Sequence, residues 1–437
     1  MNRVVVTGIG VVSPVGNGRE TFWRNLTAGT SGLGPITLFD ASAFPVRIGG
    51  EVKGLDLADL GRRFPEAARE RDRKVWLGLA AAEEALADAG FANGDLREAA
   101  LHVGVGLEVF FLEDVTAAAT EADMGRALAR LILPDAGREP LQTPLDRLGQ
   151  VLGDHYGIFG GRYTNCSACA AGAQVIGEAL RDLQEGNCAV ALAGAADSML
   201  NPLGVGGFSL LRVLSTENDR PQTACRPFDA SREGTVLGEG GAFLVLETLD
   251  HARARGARLA VARPRGLSNP RATRAAIYAE VLGYGASMDA FRVSDPEPGG
   301  RGAVLAMTKA LADAGLRPEE VDCVNAHGTG TPKNDAVETA AVKEVLGDRA
   351  RRIPVHAVKS MTGHMIAASG AVEAAAAVLT LRTGTVPPTI NLRTPDPECD
   401  LDYVADGPRP FDGRTVLANS FGFGGQNAAL LFGRYER

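Results

Sequence analysis

Three short stretches carry residues that belong together chemically. A cysteine lies in Ser167-Ala168-Cys169-Ala170-Ala171-Gly172, one histidine opens His327-Gly328-Thr329-Gly330-Thr331, and a second closes Lys359-Ser360-Met361-Thr362-Gly363-His364. The cysteine offers a thiolate nucleophile, and the glycines beside each imidazole let backbone approach a substrate closely. One Cys and two His, with no acidic third member attached, suit carbon–carbon bond formation on thioesters better than proteolysis.

Cys169 stands just ahead of a helical run over residues 170–184. The positive end of that helix is expected to lower the thiol pKa, and the N–H of Cys169 is a candidate for an oxyanion hole. Two plainer readings compete. A cysteine among alanines is commonly a small buried hydrophobe. Cys166 and Cys169 also form a C-x-x-C, which reads as a redox pair or half of a zinc site, although no second C-x-x-C exists and Cys188, Cys225, Cys323 and Cys399 lie singly. His327 follows a strand-like run, and Thr329 and Thr331 offer hydroxyls at alternate positions to an extended polar arm. Metal ligation is the alternative for His327 and His364, on a weak pattern. His102, His155, His251 and His356 read as satisfied core or surface residues. Near the C-terminus, Asn419-Ser420-Phe421-Gly422-Phe423-Gly424-Gly425-Gln426-Asn427 lacks the Lys-Ser/Thr of a phosphate cradle. It reads as an aromatic gate over a pocket, or as an ordinary turn with two core phenylalanines.

The elements that must position these groups read as an α/β fold. Residues 4–6, 101–105, 189–193, 242–246, 321–325, 353–358 and 415–418 read as strands, and 75–89, 172–184, 302–314, 336–346 and 370–382 as helices. The strand runs are apolar enough for burial on both faces. Ala85-Leu86-Ala87-Asp88-Ala89-Gly90 recurs as Ala310-Leu311-Ala312-Asp313-Ala314-Gly315, and the helical stretch from Gly172 to Gly186 recurs from Gly370 to Gly384 at the same internal spacing. Two halves of one topology follow, expected at 1–255 and 256–437 with a junction within 250–276. The 437 residues suffice for a large core, and 45% hydrophobic with 22% charged residues is a soluble globular profile. A net charge of -8 gives no support to nucleic-acid binding. No run of 18 apolar residues suggests a membrane span, and sparse cysteines without an export signal point to free thiols in the cytoplasm.

Taken end to end, the sequence resembles the elongating β-ketoacyl-acyl carrier protein synthases of the thiolase superfamily. The resemblance is carried by Val4-Val5-Val6-Thr7-Gly8-Ile9-Gly10, Arg212-Val213-Leu214-Ser215-Thr216, Arg226-Pro227-Phe228-Asp229, both histidine motifs, Val386-Pro387-Pro388-Thr389-Ile390-Asn391 and the final glycine loop. It implies a five-layered αβαβα thiolase fold and a decarboxylative condensation of a Cys169-bound acyl chain with malonyl on acyl carrier protein. Cys169 is preferred to Cys166 because Ile176-Gly177 follows it at the family's spacing. The resemblance makes His327 and His364 the pair that stabilises the enolate, with Lys359 organising the site and Glu373 as its acidic partner. It makes Phe423 the gate, Thr329 and Thr331 the holders of the pantetheine arm, and Asp335 and Glu338 acidic supports. Leu107, Phe421 and Asn427 are its further substrate contacts. No metal or organic cofactor is implied beyond the phosphopantetheine that arrives on the carrier.

Segment 108–161 departs from the family, and 261–276 looks like an insertion. The acyl substrate therefore stays open between fatty acid biosynthesis and a specialised type II polyketide or polyene pathway. A homodimer is expected in the first case, and a heterodimer with a homologous chain-length subunit is the alternative. Retained Cys169, His327 and His364 disfavour a non-catalytic subunit, and two histidines disfavour a thiolase acting on coenzyme A. An acidic carrier needs a basic patch on this acidic chain. Arg62 and Arg63 lie near Arg69, Arg71, Arg73 and Lys74, and these last four, with Arg212, are the candidate docking residues.

Overall fold

The computed structural model describes residues 1–91, 95–107, 144–259 and 276–436. Five strands come from the first part of the chain: β1 (Val4–Ser13), β2 (Ala100–Val105), β3 (Arg162–Asn165), β4 (Val190–Ser198) and β5 (Glu239–Thr248). Five come from the second: β6 (Ala279–Met288), β7 (Val324–Asn325), β8 (Val355–His356), β9 (Thr415–Gly422) and β10 (Gln426–Gly433). They lie in the order β8-β7-β9-β10-β6-β1-β5-β4-β2-β3. Reading inward from either edge, each half places its third, second, fourth, fifth and first strand, so the two halves share one topology. They join where β1 meets β6 antiparallel, with Val4 opposite Val281 and Val6 opposite Ala279.

Five helices complete the frame: α1 (Arg73–Ala89), α2 (Ala171–Glu185), α3 (Arg301–Ala314), α4 (Pro332–Leu346) and α5 (Ser369–Thr383). The repeated segments become structurally equivalent pairs. α1 covers β1 and β5 from outside, as α3 covers β6 and β10. α2 and α5 lie between the two half-sheets, α2 reaching β4 and β10 and α5 reaching β5 and β9. The result is the expected αβαβα stack. Gly90, Gly315, Gly186 and Gly384 each end one of these helices with φ between 65° and 80°, where a side chain would strain the backbone.

The central crossing explains why both inner helices begin with small residues. A Cβ on Gly172 would sit 2.6 Å from the Ala371 nitrogen, and one on Gly370 would sit 2.6 Å from the Ala173 nitrogen. Each helix start is therefore packed on the other's backbone. The run Ile366–Thr383 is long and apolar enough for a membrane span, yet 89% of it is buried inside the protein as the middle layer.

Most predicted elements appear, several of them longer than the sequence suggests. The exceptions are β7 and β8, where only two residues of each predicted run form ladder pairs. Val324 N–H bonds to the Pro354 carbonyl across the β7–β8 pair, and at the edge of the sheet Val355 N–H bonds to the loop carbonyl of Asp402. Within the expected junction, Arg258–Leu259 pairs in parallel with Ala276–Ile277. Residues 260–275, and with them nearly all of the 261–276 insertion, lie outside the described residues, as does 108–143 of the atypical 108–161 segment.

Replacing Gly172 by valine must push the α2–α5 crossing apart. A loss of roughly 1–3 kcal/mol or more is expected from overpacking of this kind, read as a lowered denaturation midpoint; an unchanged midpoint would refute the crossing.

Candidate active site

Cys169 lies in a single 3-10 turn, Ala168–Ala170, immediately before α2. Ala168 has φ 50°, the left-handed region, so the chain is bent sharply to present the next side chain. The thiol is 2% exposed and sits among Met199, Leu200, Val236 and Ile366, with Phe423 against them. This enclosure overturns the expectation of a lowered pKa. Burial pushes the Cys169 thiol up to about 11, and the Phe423 N–H, the Lys359 charge and its own N–H pull only partly against it. Cys169 is a thiol at rest, so a nucleophilic role for it needs a proton acceptor.

His364 supplies one, its Nε2 being 3.1 Å from Cys169 Sγ. On the other side of the ring, Nδ1 is 2.9 Å from Ser369 Oγ, which accepts the Met365 N–H. That hydroxyl can serve Nδ1 as donor or acceptor, so His364 Nε2 can accept the thiol proton in one step and donate in another. Ser369 was not singled out from the sequence, although a serine opening a helix just after a candidate histidine is a readable signal.

His327 is held differently. Its N–H and that of Gly328 both donate to the Glu338 carboxylate at 2.8 Å. Asp335, one turn earlier on α4, takes the N–H groups of Thr329, Gly330 and Phe228 at 3.1, 3.2 and 2.8 Å. The three-residue spacing puts both carboxylates on one helix face, where they pin the histidine loop. Asn419 donates to Glu338 as well. Arg232, absent from the sequence-based set, lies 3.6 Å from Asp335.

Lys359 joins the two halves of the site. Its buried Nζ forms an ion pair with Glu373, donates to the His327 carbonyl at 2.7 Å and stands 3.1 Å from His327 Nδ1. An ammonium has only donors to offer. His327 Nδ1 is therefore the acceptor, and the ring proton is on Nε2. Burial, reinforced by the Lys359 charge, holds the pKa of both histidines well below 6.5. Burial pushes Glu373 up to about 7 against the attraction of Lys359. Two neutral imidazoles thus stand edge to face, 5.3 Å between ring centres. One reactive atom from each of Cys169, His327 and His364 lies within 4.8 Å of the others. Lys359 puts positive charge beside this trio, which favours an anionic substrate oxygen over a cation.

The cavity above them has a volume of about 370 Å³. Phe208, Val293, Phe421 and Phe423 form apolar walls, while Thr329, Thr331 and Asn427 contribute polar groups. The glycine loop is the turn of the β9–β10 hairpin, and β10 was missed in the sequence because its start reads as loop. Gly424 and Gly425 have φ 78° and 75°, which lets the hairpin turn beside the nucleophile. A Cβ on Gly422 would stand 3.0 Å from the Cys169 nitrogen. The N–H groups of Phe423 and Cys169 both act on the sulfur and form a donor pair.

Several sequence-based residues lie elsewhere. Leu107 is 65% exposed and does not line the cavity. Lys74 is buried, paired with Asp72 at 2.7 Å and donating to the Leu107 carbonyl at 3.0 Å. Arg73 turns inward to the buried Glu239 at 2.6 Å. Neither is a docking residue, because both are consumed by internal carboxylates. Arg62 and Arg63 pair with Asp59. Arg71 is half-buried, Arg69 is exposed, and Arg212 is exposed at the cavity mouth with φ 56°. His356 also departs from expectation: it is buried with neither ring nitrogen partnered among the described residues.

With this geometry in place, the comparisons with known proteins are specific. Residues 1–252 match the family model "Beta-ketoacyl synthase, N-terminal domain", and 278–393 match "Beta-ketoacyl synthase, C-terminal domain". The chain is 40% identical to 3-oxoacyl-[acyl-carrier-protein] synthase 2 of Synechocystis sp., covering 99% of this chain and 98% of that protein. Against the protein of the same name from Coxiella burnetii the identity is 39%, with the same coverage. Among solved structures, the ishigamide ketosynthase/chain length factor aligns at 35% identity and TM-score 0.83, covering both chains fully. A ketosynthase from a type II PKS complex with its acyl-carrier protein aligns at 30% identity and TM-score 0.81, covering 99% of this chain and 100% of that one.

The two neutral histidines set a pH dependence. In the unfolded chain they titrate near 6.5; folded, they resist protonation. Their contribution to stability is present above pH 6.5 and lost as pH falls below it, because the unfolded state then binds more protons. Urea denaturation from about pH 7.5 to about pH 5 should show this fall. The fall should be shallower in His327→Gln and His364→Gln; equal slopes would contradict neutral burial.

Proposed function

The chain belongs to the β-ketoacyl synthase family, as an elongating ketosynthase of the thiolase superfamily, and from that premise we propose that it is a 3-oxoacyl-[acyl-carrier-protein] synthase. The observation that carries the reading is the meeting of Cys169 Sγ with the two imidazoles, one bonded to the thiol at 3.1 Å and the other fixed as a donor by Lys359.

The chemistry runs in two halves. Cys169 attacks an acyl thioester on the carrier protein, its proton passing to His364 and on to the departing pantetheine thiol. The N–H groups of Cys169 and Phe423 receive the oxygen of the tetrahedral intermediate. Malonyl on a second carrier then enters the cavity, with Thr329 and Thr331 along the arm. The histidines donate to its thioester oxygen as carbon dioxide leaves, and the enolate carbon attacks the Cys169 thioester. Cys169 leaves as the thiolate, and the chain has grown by two carbons. Removing one such oxyanion donor typically costs roughly a hundredfold to a thousandfold in kcat. The reaction calls for no resident cofactor.

The carrier protein docks at the cavity mouth, where Arg212 is exposed. A second copy of this chain, or a homologous subunit, adds to the sheet at β3. That edge strand carries exposed Tyr163, and Phe159 and Leu107 are exposed near it; an apolar edge that no other described strand covers favours pairing.

Incubation with acyl-loaded carriers should put an acyl mass on the wild type and on Cys166→Ala, and none on Cys169→Ala. An acyl mass on Cys166 overturns the assignment. A carrier panel completed with malonyl then reads pathway: saturated products support fatty acid elongation, and exclusive use of oxygenated or polyunsaturated chains supports the polyketide reading. Arg212→Glu should raise KM for acyl carriers severalfold with kcat retained, whereas an unchanged KM would remove it from the docking surface.

A further inference from the structure

One cavity residue takes no part in the chemistry so far described. Thr235 lines the cavity with Cys169, His327 and His364 and is 3% exposed. Its backbone stands between the two histidine loops. The preceding Gly234 N–H bonds to the Gly330 carbonyl at 3.1 Å, and the following Val236 carbonyl accepts the His364 N–H at 2.7 Å. The Thr235 hydroxyl has no nitrogen or oxygen partner among the described residues. What it has is a weak O–H···S hydrogen bond to the thiol of Cys225. Deeper hydroxyls and amides along the cavity are engaged, Thr329 with Thr331 at 2.9 Å and Asn427 with Asp289 at 2.6 Å, while Ser294 is a half-buried residue of the same lining.

A buried hydroxyl whose one bond is to a thiol is poorly satisfied, and a ligand oxygen that replaces the sulfur gains by doing so. One rotamer step exchanges a threonine's hydroxyl with its methyl at little change in shape. We propose that the Thr235 hydroxyl turns to donate a hydrogen bond to the free carboxylate of the malonyl unit and so selects and orients that extender. The inference rests on the condensing reaction proposed above. Both histidines serve the thioester oxygen, which leaves the carboxylate as the polar group of malonyl without a partner. In the reacting step the bond from that carboxylate to the malonyl methylene carbon breaks. Its electron pair becomes the enolate, and carbon dioxide departs neutral. A charged lysine or arginine would hold the carboxylate back; a neutral hydroxyl orients it and releases it.

The signature is kinetic. A hydrogen bond present with bound malonyl and absent once carbon dioxide forms lowers KM without lowering the barrier from the bound state. Thr235→Val keeps the shape and removes the hydroxyl. It should raise KM for malonyl-loaded carrier about tenfold, leave kcat unchanged or higher, and leave acyl loading of Cys169 at the wild-type rate. Thr235→Ser should restore the low KM. The assay reads carbon dioxide release and acyl-enzyme mass separately, beside wild type. An unchanged KM in Thr235→Val overturns the proposal, as does a fall in kcat or a parallel loss of acyl loading. Wild type that neither loads acyl groups nor releases carbon dioxide would instead defeat the condensing function itself.

Discussion

The site is organised by one buried cation. Lys359 has 1% exposure, and its ammonium is surrounded by Glu373, the His327 carbonyl and His327 Nδ1. Breaking a buried pair of this kind by removing one partner typically costs about 3–5 kcal/mol, so neither half of Lys359–Glu373 is dispensable to the fold around it. The same charge does three chemical things. It assigns the His327 proton to Nε2, it keeps both imidazoles neutral by repulsion added to burial, and it lends positive potential to the cavity in which the proposed reaction forms its enolate oxygen. Glu373 prevents that charge from being an unpaired burden. Ser420 and Asn325 bond to the side chain and backbone of Glu373, so the ion pair is tied to β9 and β7 as well.

The duplicated scaffold makes such a site possible. Cys169 comes from the turn before α2, and His364 precedes the matching turn, Ile366–Ala368, before α5. Because Gly172 and Gly370 let those helices cross at backbone contact, the two turns are neighbours despite 195 residues of separation between Cys169 and His364. The second half has Ala367 at the position equivalent to Cys169. Its N–H donates at 3.0 Å to Asp197, a carboxyl that burial raises to about 7. One turn keeps the reactive side chain, while the other has become a structural support behind it.

The sequence was most informative where chemistry or close packing leaves little choice. Cys169, His327 and His364 were legible because their types and glycine-flanked settings suit one reaction, Lys359 and Glu373 only through the family resemblance, and the paired helices because small residues recur at fixed intervals. Asp335 and Glu338 were visible as acidic residues, but their job of gathering backbone N–H groups appears only in three dimensions. Ser369 and Arg232 were missed because polar residues near a motif are common. Arg73 and Lys74 misled for the opposite reason: a run of basic residues looks solvated until the partners Glu239 and Asp72 are known. β10 was hidden because a glycine-rich turn precedes it, and β7 and β8 were read too long because the apolar runs extend beyond their two ladder residues.

The high thiol pKa looks at first like a defect in a nucleophile. Its setting argues otherwise. A permanently ionised thiolate would need a cation beside it, and that cation would hold the thiolate when it should attack and protonate the enolate's surroundings when it should not. Here the positive charge is placed on the far side of His327, and the sulfur faces a neutral imidazole placed to take its proton. Low dielectric then works in favour of the second half-reaction, since fixed N–H donors around an emerging oxyanion gain strength as water is excluded. Burial that makes Cys169 reluctant to ionise and burial that keeps His327 and His364 neutral are the same physical property, which the proposed reaction uses once to restrain its nucleophile and once to stabilise its enolate.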